Sequence, residues 1–477
     1  MEVLKASSIP MEDQPLKHAI RNVRVQESIR RFRSGFLQES GEKLFNVLPK
    51  QEMERAVHEE VKQWRERFYG PLVTLRLFVE QVLHADHACQ DTVVRYASER
   101  VAQDQAMVSL STGPYCKARK RLPLRLVQRL GQLVGGGLES SSEAGWKWRG
   151  RSVKLVDGTT VSMPDTKTNR GLYPPHDEKK RGLGFPLARL VALISLECGA
   201  VLDWAMGPCK GKLTGEDALF RQLYRSLKRG DIVLADRYYC GYFVVAMLHL
   251  MGVDVLMRQH ARRLTDFRRG ERLGKRDHLV SWKRPACPEW MDEQTYARIP
   301  EELIMREAKV GQWVLVSTLR DAKQVSKQEL NALYVLRWQI ELDFRAIKDV
   351  MQMDVLRCQS PQLVEKEVGV FLLAYNLIRA TMAQAAACAK LLPRQLSFSG
   401  AKRVINSFLD LLRGGAVRGL MRMFAYLRGA IALMRLPYRP NRVEPRAVKR
   451  RPKPHTLLTR HRDIERAKLH RARRCFA

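Results

Sequence analysis

Between residues 152 and 257 the hydrophobic pattern changes from helical spacing to short apolar runs, and this change limits the fold more than any other feature of the chain. Residues 152–156 alternate into Asp157-Gly-Thr-Thr, and the runs at 187–196 and 200–206, joined by a turn at Cys198-Gly199, read as two more strands. A helical stretch over 214–227 follows, with Thr214 as its expected N-cap. A short apolar strand at 231–235 then delivers Asp236-Arg-Tyr-Tyr239, and a helix at 243–251 and a strand at 253–257 complete the series. Three strands, a helix, a strand, a helix and a strand make an α/β sheet, with Asp157 and Asp236 expected at the ends of separated strands.

The chain on either side reads differently. Residues 1–140 are helical in pattern, with a stretch over 26–37, an apolar stripe of Leu72, Leu75, Phe78, Val79 and Val82, and a basic helix start before Arg121; this is the expected N-terminal helical DNA-binding domain. Gly135-Gly-Gly-Leu-Glu-Ser-Ser-Ser142 reads as a linker. The α/β core occupies 150–258, a very basic insertion with strand candidates at 278–282 and 313–319 occupies 259–320, and the core resumes over 321–392. A helical region over 393–436 and a basic, proline-containing tail over 437–477, expected to be mobile when free, end the chain.

Lysine and arginine number 84 against 50 acids, a formal net charge of +34, in a chain whose 45% hydrophobic and 8% aromatic content is that of a folded protein. That excess implies a polyanionic partner, and nucleic acid fits best. A ribosomal protein could be as basic, but the length argues against it; a membrane-surface protein could be too, but no amphipathic anchor is evident. The start Met1-Glu-Val-Leu-Lys5 lacks the apolar core of a secretory signal, and the most hydrophobic run, 370–389, is interrupted by Asn376, Arg379 and Gln384, so a buried helix is expected and no membrane span. Nine cysteines without a CxxC pair point to free thiols in a cytoplasmic protein.

The stretch 331–348 holds two stripes. At about 100° per residue, Tyr334, Arg337, Glu341, Arg345 and Lys348 share one helical face, while Leu333, Leu336, Ile340, Phe344 and Ile347 form the packing face. Ser326-Lys-Gln-Glu329 has the capping-box pattern at the helix start. Solvated ion pairs between Glu341 and Arg337 or Arg345 would explain this face on its own. Joined with Asp157 and Asp236, Glu341 gives a different reading: three carboxylates supply the hard oxygen ligands that phosphodiester chemistry with two divalent ions requires. Asp165 is a lower-ranked rival for the first of them. No HExxH, GxSxG or complete phosphate loop competes.

The spacing Tyr334-(2)-Arg337-(3)-Glu341-(6)-Lys348 resembles the Tyr-Arg-Glu-Lys signature of bacterial insertion-sequence transposases of the DDE class, and Asp157-Gly-Thr-Thr and Ala235-Asp236-Arg resemble the surroundings of that family's two aspartates. The resemblance covers roughly residues 70 to 390. It implies a ribonuclease-H-like mixed sheet flanked by helices, with a β-rich insertion before the last catalytic helix. It also implies catalytic and metal-binding roles for Asp157, Asp236 and Glu341, with two Mg²⁺ ions that Mn²⁺ can replace. Tyr334, Arg337 and Lys348 would hold DNA phosphates, and Arg345, Arg237 and Trp338 are expected as further DNA contacts. Trp282, Trp290 and Trp313 are candidates to stack on a flipped base. The implied reaction is hydrolytic cutting of element ends followed by attack of the 3′-hydroxyl on target DNA, by a homodimer acting on double-stranded DNA in a bacterial cytoplasm. A DNA-binding repressor without catalysis and a metal-dependent nuclease without strand transfer are the alternatives.

Overall fold

The computed structural model describes residues 50–62, 64, 68–175, 184–212, 214–413, 420–437, 460 and 462–475. The helix expected over 26–37 and the tail residues from Arg439 to Lys453 lie outside them.

Five helices come first: α1 (Lys50–Glu60), α2 (Pro71–Leu83), α3 (Cys89–Ala102), α4 (Gly113–Arg121) and α5 (Leu124–Ser140). The apolar stripe of α2 is buried in full, from Leu72 to Val82, as its spacing requires. The expected linker is not one, because α5 runs on through Gly135, Gly136 and Gly137 to Ser140. Close packing is the reason for the first of these glycines: a Cβ on Gly135 would stand 2.4 Å from the Val201 carbonyl oxygen and 3.1 Å from the Asn376 amide. The Asn376 side chain bonds the Val201 backbone on both sides, at 2.8 and 2.7 Å, and so ties helix and strand at that crossing.

The sheet comprises β1 (Val153–Ser162), β2 (Leu187–Ser195), β3 (Val201–Pro208), β4 (Ile232–Ala235), β5 (Asp254–Arg258), β6 (Glu271–Gly274), β7 (Asp277–Lys283), β8 (Glu302–Val310) and β9 (Trp313–Ser317). Helices α6 (Lys167–Leu172), α7 (Glu216–Arg221), α8 (Tyr242–Leu250) and α9 (Glu293–Arg298) are interspersed. The strand order is β3-β2-β1-β4-β5-β9-β8-β7-β6. Strands β1, β2 and β3 pair antiparallel, while β4 and β5 run parallel to β1. This five-strand arrangement is the ribonuclease-H-like core implied by the resemblance. The insertion joins it directly, since β9 pairs antiparallel with β5 and the sheet continues unbroken to β6.

Two details depart from the sequence reading. Asp157 does not end β1: the parallel pairing with β4 stops at Leu155–Leu234, but the antiparallel pairing with β2 carries β1 on to Ser162. Thr214 does not cap α7, whose N-cap is Gly215; its hydroxyl donates instead to the Gly211 carbonyl at 2.9 Å.

The catalytic-signature segment forms α10 (Lys327–Val335), a 3₁₀ turn (Leu336–Trp338), α11 (Gln339–Arg345) and a π turn (Ala346–Val350); the long helix α12 (Pro361–Cys388) packs behind it. Helices α13 (Phe398–Arg413), α14 (Leu420–Leu433) and α15 (Arg462–Cys475) follow, the last giving part of the expected mobile tail a helical form. Helix α12 is long and apolar enough to span a membrane, but 89% of its most apolar window is buried inside the protein. Cys89, Cys116, Cys198, Cys209, Cys240, Cys287, Cys358 and Cys388 are free.

Candidate active site

Strand alternation decides where the two aspartates emerge. Val153 and Leu155 on β1, and Ile232 and Leu234 on β4, face the core shared with α10, α11 and α12, whereas Val156, Val233 and Ala235 face the opposite core with α7 and α8. Asp157 and Asp236 continue the first series. The parallel register ends at Leu155 beside Leu234, and Asp157 and Asp236 each follow two residues later on the face that α11 covers. Asp236 comes close enough for its charge to act on the Asp157 carboxyl.

The covering helix is held from three sides. The expected capping box forms at its start, with the Ser326 hydroxyl accepting from the Glu329 amide at 3.3 Å and the Glu329 carboxylate accepting from the Ser326 amide at 2.9 Å. Arg306 on β8, fully buried, donates to Asp277 on β7 at 2.9 and 2.7 Å and to the Val325 carbonyl at 2.6 Å, so the insertion braces the residue before the cap. Asp343, also fully buried, accepts from Tyr375 at 3.0 Å and Arg379 at 2.6 Å on α12, and from Arg394 at 2.7 and 2.9 Å. With Asp343 pinned inward, Glu341 two residues earlier points back toward β1.

Arg337 closes the site. Its guanidinium donates to Asp157 Oδ2 at 3.2 Å and to Glu341 Oε1 at 3.1 Å, spanning the strand and the helix. Lys348 donates to the Thr159 hydroxyl at 3.3 Å, two residues past Asp157. Burial is the main influence on Asp157 and raises its pKa to about 6; the Gly158 amide and Arg337 oppose this, and the charges of Asp236 and Glu216 add to it. Tyr334 is buried, and desolvation moves its hydroxyl pKa upward.

The helical face is therefore less uniform than its spacing suggests. Leu333, Ile340, Phe344 and Ile347 are buried as expected, but Leu336, in the 3₁₀ turn, is 39% exposed. Trp338, Arg345 and Arg237 are exposed, and neither arginine forms an ion pair among the described residues. Asp165 is held by Arg170 in a loop and is not drawn into the site. Of the insertion tryptophans, Trp282 is a core residue, 1% exposed, with its indole donating to Glu307 at 2.8 Å. Trp290 and Trp313 are partly buried, and arginines lie over both rings, Arg221 at 3.8 Å and Arg258 at 5.1 Å.

Sequence reasoning missed Glu216, Tyr239 and Asp343. The first had a signal: Gly158 within a strand marks a close approach by something, and a Cβ there would lie 2.5 Å from the Glu216 carboxyl carbon. Among the described residues no three acidic, histidine or cysteine side chains already converge with metal-site spacing. The donor chemistry fits divalent cations all the same: the three carboxylates offer hard oxygens, and a positive charge, that of Arg337, already sits between two of them.

Comparison with known proteins bears on this geometry. The family described as transposase DDE domain matches residues 148–377, a span holding all three carboxylates and Lys348. The transposase InsG for insertion sequence element IS4 of Escherichia coli (strain K12) is 30% identical over 318 residues, which cover 64% of this chain and 69% of that protein. A cryo-EM structure of piggyBac transposase in a synaptic complex with hairpin DNA superposes with a TM-score of 0.41 at 10% identity, covering 87% of each chain.

Proposed function

This chain belongs to the bacterial insertion-sequence DDE transposases, and from that premise we propose that Asp157, Asp236 and Glu341 hold two Mg²⁺ ions with which it cuts element ends and joins them to target DNA. Bound there, the ions would supply Lewis acidity at the scissile phosphate and steady the oxygen that leaves. Water first breaks the phosphodiester bond, leaving a 3′-hydroxyl on the element; that hydroxyl then attacks a target phosphate and displaces the adjoining 3′-oxygen.

The residues of the chain have separate tasks in this reading. Without DNA, Arg337 neutralises Asp157 and Glu341 and keeps them close. When a DNA phosphate arrives, the guanidinium turns to it and leaves both carboxylates free to take a cation. Lys348 grips a neighbouring phosphate, Tyr334, buried beside Arg337, reaches the backbone through that guanidinium, and Arg345, Arg237 and Trp338 extend the contact along the duplex. Two copies of the chain pair the two element ends.

The observation that supports this most is the single arginine joined to carboxylates from two distant parts of the sequence, β1 and α11. The test is incubation with Mg²⁺ and a plasmid carrying the element ends. The native chain yields excised and joined products. E341Q and D236N bind the same DNA but cut it on the order of a thousand-fold more slowly or worse. Cutting by E341Q at the native rate would falsify the assignment, cutting without joining would make the protein a nuclease, and binding alone would make it a repressor.

A further inference from the structure

The site contains a carboxylate that the signature does not name. Glu216 opens α7 on the sheet face opposite α11, and its carboxyl group fills the space a side chain on Gly158 would need: a Cβ there would come within 2.5 Å of Cδ and 2.6 Å of Oε1. Tyr239, three residues past Asp236, donates its hydroxyl to Glu216 Oε2 at 3.3 Å. Glu216 therefore touches the residue after the first aspartate and a residue just beyond the second.

Ordinary scaffolding does not account for its charge. The nearest cation is Arg189, whose Nε lies 3.8 Å from Oε1, and its charge only partly offsets the desolvation of the carboxylate. Arg189 is also committed elsewhere, donating to the Thr214 carbonyl at 2.7 Å. A neutral glutamine would satisfy Tyr239 equally well. Glycine in a strand interior weakens the strand, so both Gly158 and a poorly paired charge behind it are costs that the fold alone does not explain.

We propose that Glu216 is a positioning residue of the active site: it supports Asp157 through Gly158 and adds negative charge behind the two aspartates, strengthening their hold on divalent cations. This rests on the reading of Asp157, Asp236 and Glu341 as cation ligands.

Mn²⁺ binding to the full chain without DNA, followed by the electron paramagnetic resonance of the free ion, tests it. E216Q keeps the shape and the Tyr239 contact, and should bind Mn²⁺ about ten-fold more weakly while unfolding no earlier than the native chain. E216D keeps the charge and should recover part of that loss. D157N is the reference for the site and should bind weakest. If D157N is weakened and E216Q is not, the inference about Glu216 is overturned and the three-carboxylate reading stands. Equal losses in E216D and E216Q would overturn it too, since charge would not be the property that matters. Native binding by D157N would remove the cation reading and Glu216 with it.

Discussion

Burial beneath the helix layer raises the Asp157 pKa from 3.8 to about 6, so the ionised carboxylate opposes folding in spite of Arg337. The penalty is absent below about pH 4, where the group is protonated folded and unfolded alike, grows as pH rises toward 6, and is full above it. A shift of about two units corresponds to at most about 3 kcal/mol. D157N removes the charge and keeps the shape, so it should be about 1–3 kcal/mol more stable than the native chain at pH 7.5 in EDTA, with the difference fading by pH 4.5. Urea unfolding at the two pH values checks this, and a gain of the same size at both would show that the carboxylate carries no such burden. The sequence motif named Asp157, Asp236 and Glu341 because residue types at fixed spacings are written in the chain. Glu216 was not named, since its place depends on α7 folding over a glycine far from it in sequence.

The signature segment is several elements and not one helix, and Asp343 is the anchor that ties α11 to α12. Helical spacing identified the buried Leu333, Ile340, Phe344 and Ile347, and the capping box identified the start. Neither could reveal the 3₁₀ and π turns, because tertiary contacts and not local preference shift the hydrogen bonding there. The same limit hid the role of Gly135: glycine and serine runs mark linkers by composition, yet here the missing side chain lets α5 approach β3. In D343A, Arg379 and Arg394 would be left buried with no acid between them, a loss of about 3–5 kcal/mol. The freed helix would also lose the rotation that aims Glu341, so cutting should fall more than DNA affinity. Denaturant unfolding alongside a cleavage assay reads both, and a D343A chain as stable and active as the native one would show that α12 does not orient the helix.

Across the whole molecule, the +34 charge points to DNA but overstates how many cations can reach it. Part of it is spent inside the protein: Lys154 is buried against Glu139 and Asp231, Arg306 against Asp277, and Arg379 and Arg394 against Asp343. These charges brace strand against strand, helix against helix and, at Lys154, the sheet against α5, and have nothing left to offer a phosphate. Lys348 differs, because its ammonium meets only the Thr159 hydroxyl and forms no ion pair among the described residues, beside the proposed cutting site. Each lysine that neutralises a phosphate releases condensed counterions, which makes affinity fall with salt by close to one unit of logarithmic slope per contact. K348A should therefore flatten the salt dependence of element-end binding by about one unit and weaken it similarly across sequences, since a phosphate contact reads no bases. Titrations of labelled end DNA from about 50 to 200 mM salt would show this. An unchanged slope in K348A would mean that Lys348 keeps its bond to Thr159 when DNA is bound, and that the phosphates nearest the carboxylates are gripped by Arg337 and the exposed arginines alone.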